Sequence, residues 1–388
     1  MMEMRGRTGE AGVANGCRGV EMLRFKAAVL IFGRRLAVFT VSLLIGLLAC
    51  SSDIEARDWQ GFGPISVRTQ NPVYLQTLGL TPTRAEVLPE GTIEVRLDSA
   101  YTNIFERVGN ANAALDLDME YWRLAPWITY GLRDDLQVGV EIPLINFSGG
   151  FLDAFIQRFH KAFGFPNGGR ESVPNGRFSY RFDAGGTTRF DFPSTSMGLG
   201  DIAIHFKQQL TGEESDLPAM ALFADIKFPT GMPSRGWGNG SPDFGFGFAL
   251  ETTWKRLHGY VNTMGVATGG NDNYGDFMYG GMFAFMVAGE LTLLPSWSLV
   301  VQLNGSTPLL GHTGLGDWDG VPLDLVVGFR GEEKKLLGGQ DFIWQFGFSE
   351  DILSSGPSPD FTVFISFGLR FDIFGRSRPA GEWMARKR

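Results

Sequence analysis

The chain has 388 residues, of which 44% are hydrophobic and only 20% charged, with 53 Gly, 33 Phe and a formal net charge of -8. The balance of 34 Lys and Arg against 42 Asp and Glu excludes the clustered basic face that nucleic-acid binding requires. Past residue 50 no apolar run approaches the roughly 20 residues of a membrane-spanning helix, so the apolar content is dispersed, as it is in alternating strands.

Residues 1–56 read as an N-terminal extension and signal peptide. Arg34 and Arg35 precede the apolar run 36–48, which has the length of a signal-peptide core and is too short to span a bilayer. Two cleavage sites are open. The box "LLAC" (47–50) would leave Cys50 lipid-modified, although its second Leu is not the usual small residue. The sequence "IEA" (54–56) would end the leader at Ala56 and start the mature chain at Arg57, and it is the preferred site. A start at Met22 would give a conventional basic leader, "MLRFKAAVLIFGRR". Cys17 and Cys50 are the two cysteines, so the mature chain is expected to carry neither a disulfide nor thiol chemistry.

Residues 57–90 contain Pro64, Pro72, Pro82 and Pro89 and no sustained period. Proline lacks the donor a strand ladder needs, so this segment is expected either to plug a lumen or to sit below it. From residue 91 to 374 the period is two. In "TIEVRLDSAY" (92–101) Ile93, Val95, Leu97 and Tyr101 alternate with Glu94, Arg96 and Asp98. In "FTVFISFGLRF" (361–371) the odd positions are apolar throughout. The pattern predicts about twelve strands, near 92–104, 112–131, 135–146, 197–211, 217–229, 241–254, 256–268, 277–292, 296–308, 321–331, 339–350 and 359–373. Alternate connections are short, among them "GLRDD" (131–135), "WKR" (254–256) and "LLPSW" (293–297), while those between them are mostly longer. Short turns at one end and long loops at the other, with an even strand number, describe an all-β transmembrane antiparallel barrel with both termini on the periplasmic side. Trp127, Tyr130, Trp254 and Trp297 fall near the short-turn ends, where an interfacial aromatic girdle is expected. Residues 375–388 form a short basic tail.

One stretch breaks the period. In "FLDAFIQRFHKAF" Phe151, Phe155, Phe159 and Phe163 recur every four residues and Leu152 and Ile156 widen the stripe, the signature of an amphipathic helix in a long extracellular loop. Gly168, Gly169 and Pro166 end it. Thirteen residues are marginal as a free helix in water, so the stripe must be covered. The preferred reading makes Phe151, Phe155, Ile156, Phe159 and Phe163 a lid over the lumen mouth; the other makes the helix an anchor on the outer rim.

If Ile93 and its partners face lipid, then Glu94, Arg96, Asp98, Asp116, Asp118, Glu120, Glu141, His205, Lys207, Asp225, Lys227, Asp324, Arg330, Asp341 and Arg370 face the lumen, because a Lys or Arg on the lipid face near the midplane costs roughly 2–4 kcal/mol. Such a wall is either a polar pathway or a salt-bridged filling. His160, His205, His258 and His312 are scattered without ligand spacing, so no metal and no cofactor are expected. No "GxSxG" elbow is present, and "GNGSPDFGFGFAL" (238–250) has no helix after it with which to cradle a nucleotide.

The segments "RTQNPVYLQTLGLTPTRAEVLPEG", "FLDAFIQRFHKAFGFPNGGR", "GLGDIAIHFKQ" (198–208) and "DIKFPTG" (225–231) resemble a family of Gram-negative proteins carried as a domain of unknown function, over about residues 60–374. More loosely, "GLRDDLQVGVEIPL" and "KFPTG" resemble outer-membrane channels found beside aromatic-degradation pathways. The resemblance implies location and architecture and brings no catalytic residues. The expected function is passage or binding of small molecules, hydrophobic ones among them, across the outer membrane, and not catalysis. The alternatives are a structural or surface-interaction barrel with a filled lumen and, third, a lipid-modifying enzyme. The expected partners are outer-membrane lipid, an unidentified solute and the barrel-assembly machinery, engaged through the C-terminal strand.

Overall fold

The computed structural model describes residues 59–163, 169–212, 217–270, 273–316, 318–337, 339–352 and 356–373. The signal-peptide and cleavage-site readings, both cysteines and the basic tail lie outside these residues. One compact unit comprises residues 59–159 and 167–388; the last residues of the helix belong to the other.

Twelve antiparallel strands close on themselves: β1 (Thr92–Gly109), β2 (Ala113–Arg133), β3 (Leu136–Glu141), β8 (Ala203–Thr211), β9 (Ala219–Lys227), β10 (Asp243–Trp254), β11 (Leu257–Ala267), β12 (Gly281–Leu294), β13 (Trp297–Ser306), β14 (Leu323–Leu337), β15 (Gln340–Asp351) and β16 (Phe361–Asp372). Each pairs with its neighbour along the wall, β3 with β8 across the longest insertion, and β1 closes the ring against both β2 and β16. All twelve predicted segments are present. The third is cut short because Pro143 follows Ile142 and offers no ladder donor. Beyond the break the chain leaves β8 and builds β4 (Leu144–Ser148), α1 (Asp153–Phe163), the hairpin β5 (Ser179–Ala184) and β6 (Thr187–Asp191), and the short β7 (Gly198–Leu199). β4 and β5 pair with the upper part of β2, which at 21 residues runs well past β3.

The two faces of the wall separate cleanly. On β1 and β16, Val95, Leu97, Val363, Ile365 and Phe367 point out and are exposed, whereas Ala100, Thr102, Ile104, Phe364 and Ser366 point in and are buried. Trp254 and Trp297 stand by the short turns on this outer surface. Trp127 does not: it points inward, buried beneath Arg96 at 5.1 Å and beside His205 at 4.6 Å. Ring position along the strand was read correctly from the sequence and ring direction was not, since Trp127 falls in the inward row with Ala125 and Thr129.

Residues 59–90 lie inside the ring. They enter at the short-turn end with Trp59 stacked on Arg256 at 4.0 Å and rise to a single 3-10 turn at Tyr74–Gln76. They then descend to Gly91, whose N–H donates to the Gly131 carbonyl at 3.0 Å. Gly131 is required there, because a Cβ would stand 2.1 Å from the Pro89 carbonyl oxygen. In the upper half Tyr74, Leu75, Leu78 and Leu80 join Ile104, Leu117, Met119, Tyr121, Phe147 and Tyr180 in one buried apolar cluster that continues into Phe182, Phe190, Phe192, Tyr274 and Leu309 of the loops. Gly131→Val should lower thermal stability in detergent by about 1–3 kcal/mol through forced displacement of the segment's exit. Gly289→Ala, with no atom within 4 Å of the added carbon, should stay within about 0.5 kcal/mol.

Candidate functional site: the occupied lumen

Residues 59–90 contain no strand, so many of their backbone groups are satisfied by side chains of the wall. Glu290 accepts from Phe62 N at 2.8 Å and Gly63 N at 3.0 Å. Gln302 accepts from Ile65 N at 3.0 Å and donates to its carbonyl at 3.1 Å, and Asn304 donates to the Val67 carbonyl at 2.9 Å. On the return, Asp243 takes Leu78 N at 2.8 Å, Asn262 takes Thr83 N at 2.8 Å, Gln209 takes Val87 N at 3.1 Å and Gln137 takes Leu88 N at 2.9 Å. Near the apex Gln76 donates to the hydroxyls of Tyr180 and Tyr274, each at 2.8 Å.

Charge fixes the base of the segment. Arg84 reaches Glu251 at 2.6 Å and Glu86 at 2.9 Å. Burial alone would lower its pKa, but the fields of these two carboxylates outweigh burial and hold it well above the ordinary arginine value. Arg68, higher up, donates to the carbonyls of Tyr74 and Thr77, both at 2.9 Å. Burial and then the neighbouring Arg123 bring it down to about 10, so it too stays charged near neutral pH.

Twelve of the fifteen residues expected in the lumen are there. Glu94, Arg96 and Asp98 point inward from β1, with Arg96 bridging Asp98 at 2.8 Å and Glu94 at 3.4 Å. Arg370 joins Glu94 and Glu332, each at 3.0 Å. Glu141 pairs with Arg123, and His205 Nδ1 stands 3.0 Å from Asp225. Lys227 contacts Asp201 at 2.5 Å and Asp243 at 3.3 Å. Lys207 donates to Thr83 Oγ1 at 3.0 Å and the Arg84 carbonyl at 2.9 Å. Arg330 binds the Pro64 carbonyl, and Asp324 accepts from the Thr69 hydroxyl. Asp341 takes the Lys335 N–H at 3.0 Å and shapes the β14–β15 turn.

Asp116, Asp118 and Glu120 correct the expectation. They occupy the outward row of β2, opposite Arg107, Phe105 and Asn103 of β1. Asp116 and Asp118 pair with Arg177. Their inward neighbours are Leu115, Leu117, Met119 and Tyr121. At this height the interior is the apolar side, so the rule that places charge in the lumen inverts. Glu251, Glu290, Asp243, Asn262, Gln302 and Gln345 were missed, although a period-two count marks them. Glu251 is the only ionisable residue of β10 past Asp243, and Glu290 the only one of β12.

The helix stripe is placed by the same rows. Phe151 packs on Tyr101 at 5.4 Å and Phe155 on Phe361 at 6.5 Å, and both partners belong to outward rows. Phe151 and Phe155 therefore stand against the outside of the wall and not over the mouth, while Ile156 is buried beneath the helix. The side chains of Phe159 and Phe163 lie outside the described residues.

A cavity of about 750 Å³ remains between the segment and the wall at the short-turn end, lined by Glu94, Arg96, Lys207, Asp225, Arg330 and Arg370 among others. Higher up there are spaces of about 20 Å³ beside Arg68 and Arg123 and about 30 Å³ beside Tyr74 and Asn304. Each is the size of one or two waters.

A closed, even-numbered antiparallel barrel with short turns at the end where the described residues begin and finish, exposed apolar outer rows and a lumen occupied by its own chain is an outer-membrane-type β-barrel. The chain belongs to the DUF3187 family of proteins of unknown function, whose profile matches residues 40–372. Among solved structures it is similar to the COG4313 outer membrane channel from Pseudomonas putida F1, at 13% identity and a TM-score of 0.50, covering 76% of this chain and 100% of that one. Fainter likenesses, at TM-scores of 0.37 and 0.35, link it to the NanC porin (8% identity, 72% of this chain and 98% of that one) and to a TodX monoaromatic hydrocarbon channel mutant (10% identity, 81% and 98%). No curated sequence matches. At such identities the likeness speaks to the fold alone.

Removing the Glu251 carboxylate takes from the buried Arg84 the nearer of its two carboxylates and leaves it Glu86, so Glu251→Ala should cost somewhat less than the roughly 3–5 kcal/mol of a buried ion pair broken outright. Arg84→Ala in the same background should recover part of that loss. Unfolding midpoints in a double-mutant cycle check this, and strictly additive losses would show the pair to be uncoupled.

Proposed function

We propose that the protein is an outer-membrane channel for small molecules, hydrophobic ones among them, held shut by residues 59–90. The observation that carries this reading is how the lumen is filled. The wall does not close on itself with its own side chains, as small barrels do; it encloses a segment without strand pairing, attached by hydrogen bonds, the Arg84 ion pairs and, in the upper half, apolar packing. Such a segment can shift without opening a single strand pair. The cavity at the short-turn end then forms a polar vestibule on the periplasmic side, continuous with whatever passage the displaced segment leaves. Export by the N-terminal signal and insertion through the C-terminal strand by the barrel-assembly machinery belong to the same reading.

The apolar cluster of the upper half favours a second reading, a structural barrel whose lumen is filled permanently. Planar-bilayer conductance separates the two. Under the channel reading the native protein stays closed with rare openings, and Glu290→Ala with Gln302→Ala, which frees the rising arm, raises the open fraction at least tenfold. Deleting residues 59–90 gives a steady pore. If the deleted barrel still migrates as a folded, heat-modifiable species and conducts nothing at any voltage, the channel reading fails.

A further inference from the structure

We infer that the insertion carrying α1 is a lipid-binding annex on the outside of the barrel, with Phe151 and Phe155 seated among the acyl chains of the outer leaflet. The membrane boundary on this side of the wall is written in β2. Its outward row runs Asp116, Asp118, Glu120 and then Trp122, Leu124, Pro126, Ile128, a change from carboxylates to apolar groups within one step. The rows in register with that step are Asn103 followed by Tyr101 on β1, and Phe361 followed by Val363 on β16. From Phe361 down to the outward Phe371 at the other end is ten residues, roughly 33 Å along a strand and about 25 Å in height at a 40° tilt, the height of an apolar band. Phe151 contacts Tyr101, the first row below the boundary, and Phe155 faces Phe361, which itself stacks on Phe348 at 6.0 Å. The two helix rings thus extend the lipid-facing aromatic surface of β1, β15 and β16 without a break.

Their exposure, 74% for Phe151 and 47% for Phe155, is held in place by a buried polar latch. Glu120 is fully buried although it points away from the lumen. It accepts from Tyr101 Oη at 2.6 Å, Phe151 N at 2.9 Å, Leu152 N at 2.5 Å and Asn103 Nδ2 at 3.2 Å. Two of those donors are the backbone N–H groups of the two residues that lead into the helix. Gly150, at φ +73°, is needed for the approach, since its Cβ would stand 1.9 Å from the Glu120 carboxyl carbon. Arg170, 2% exposed, donates to Asp153 at 2.8 Å, Asn103 at 2.9 Å and Asp360 at 2.7 Å, and lies 4.8 Å from the Phe105 ring. A lid would need a hinge here; instead the residues leading into the helix and Arg170 after it are both pinned to the wall. Arg158, exposed one turn beyond Phe155, supplies a cation for a lipid phosphate, which completes the apolar-and-basic pattern of an interfacial helix.

The inference is independent of whether the lumen conducts. It is tested by nitroxide labelling of the full chain, refolded into phosphatidylcholine and phosphatidylglycerol vesicles, in a Cys17→Ser, Cys50→Ser background. Labels at Phe151→Cys and Phe155→Cys should give the oxygen-over-nickel-complex accessibility ratio of a lipid-facing reference, Val363→Cys. A ratio matching Thr187→Cys, at the water-exposed tip of the β5–β6 hairpin, would overturn the inference. Neither replaced side chain belongs to the latch. Should either variant refold poorly, bromolipid-induced quenching of a fluorophore at Arg158→Cys offers the same decision: quenching supports the annex and its absence refutes it.

Discussion

The structure depends on the need to satisfy the backbone of a strandless segment inside a closed sheet. The strands' own N–H and C=O groups are largely committed to the ladder, so residues 59–90 meet their hydrogen-bonding needs through inward side chains of the wall and, around the turn at Tyr74, through groups of the segment itself. Glu290, Gln302, Asn304, Asp243, Asn262, Gln209 and Gln137 answer that need from six different strands. The prolines of the segment serve the same end, since Pro64, Pro72, Pro82 and Pro89 carry no N–H to be satisfied. Glu251 and Arg84 add a buried charge pair between wall and segment, where an unpaired ion would be expensive.

From this constraint follows a lumen of two characters. Below, charge and amide groups line the segment and leave a cavity; above, the segment turns over at Tyr74 and packs with inward leucines and aromatics as a soluble core would. The outer surface changes at nearly the same height in the opposite sense. Asp116, Asp118 and Glu120 face the loops, where Arg177 and the backbone before the helix meet them, while Trp122, Leu124 and Ile128 below them continue the apolar outer surface. On β2 the wall exchanges its polar and apolar sides at this height.

That exchange explains what was and was not legible in the sequence. Strand number, antiparallel order, the turn and loop ends and the helix near 151–163 follow from period and spacing, because a two-residue period has only two faces to choose between. The inward charges of β1, β8, β9 and β16 follow from the same rule. It failed at Asp116, Asp118 and Glu120 because period gives the alternation without its sign, and the sign reverses along β2. The path of residues 59–90 was illegible for a different reason. Their partners are single Glu, Gln and Asn residues more than a hundred positions away for the most part, and no local pattern joins a backbone N–H to a side chain in another strand. Pro143 was visible, but its consequence, that the chain beyond it leaves β8 and builds β4 against β2 and β7, depends on the length of the insertion that follows.

The central claim is that wall side chains hold residues 59–90 in the lumen. Amide hydrogen exchange in bilayer-reconstituted protein tests it most directly. Peptides covering 62–66, 78 and 83–88 should exchange orders of magnitude more slowly than unstructured backbone, and Glu290→Ala should release the first of them while the strands stay protected. Rapid exchange across 59–90 in the native protein, beside a protected barrel, would contradict the account.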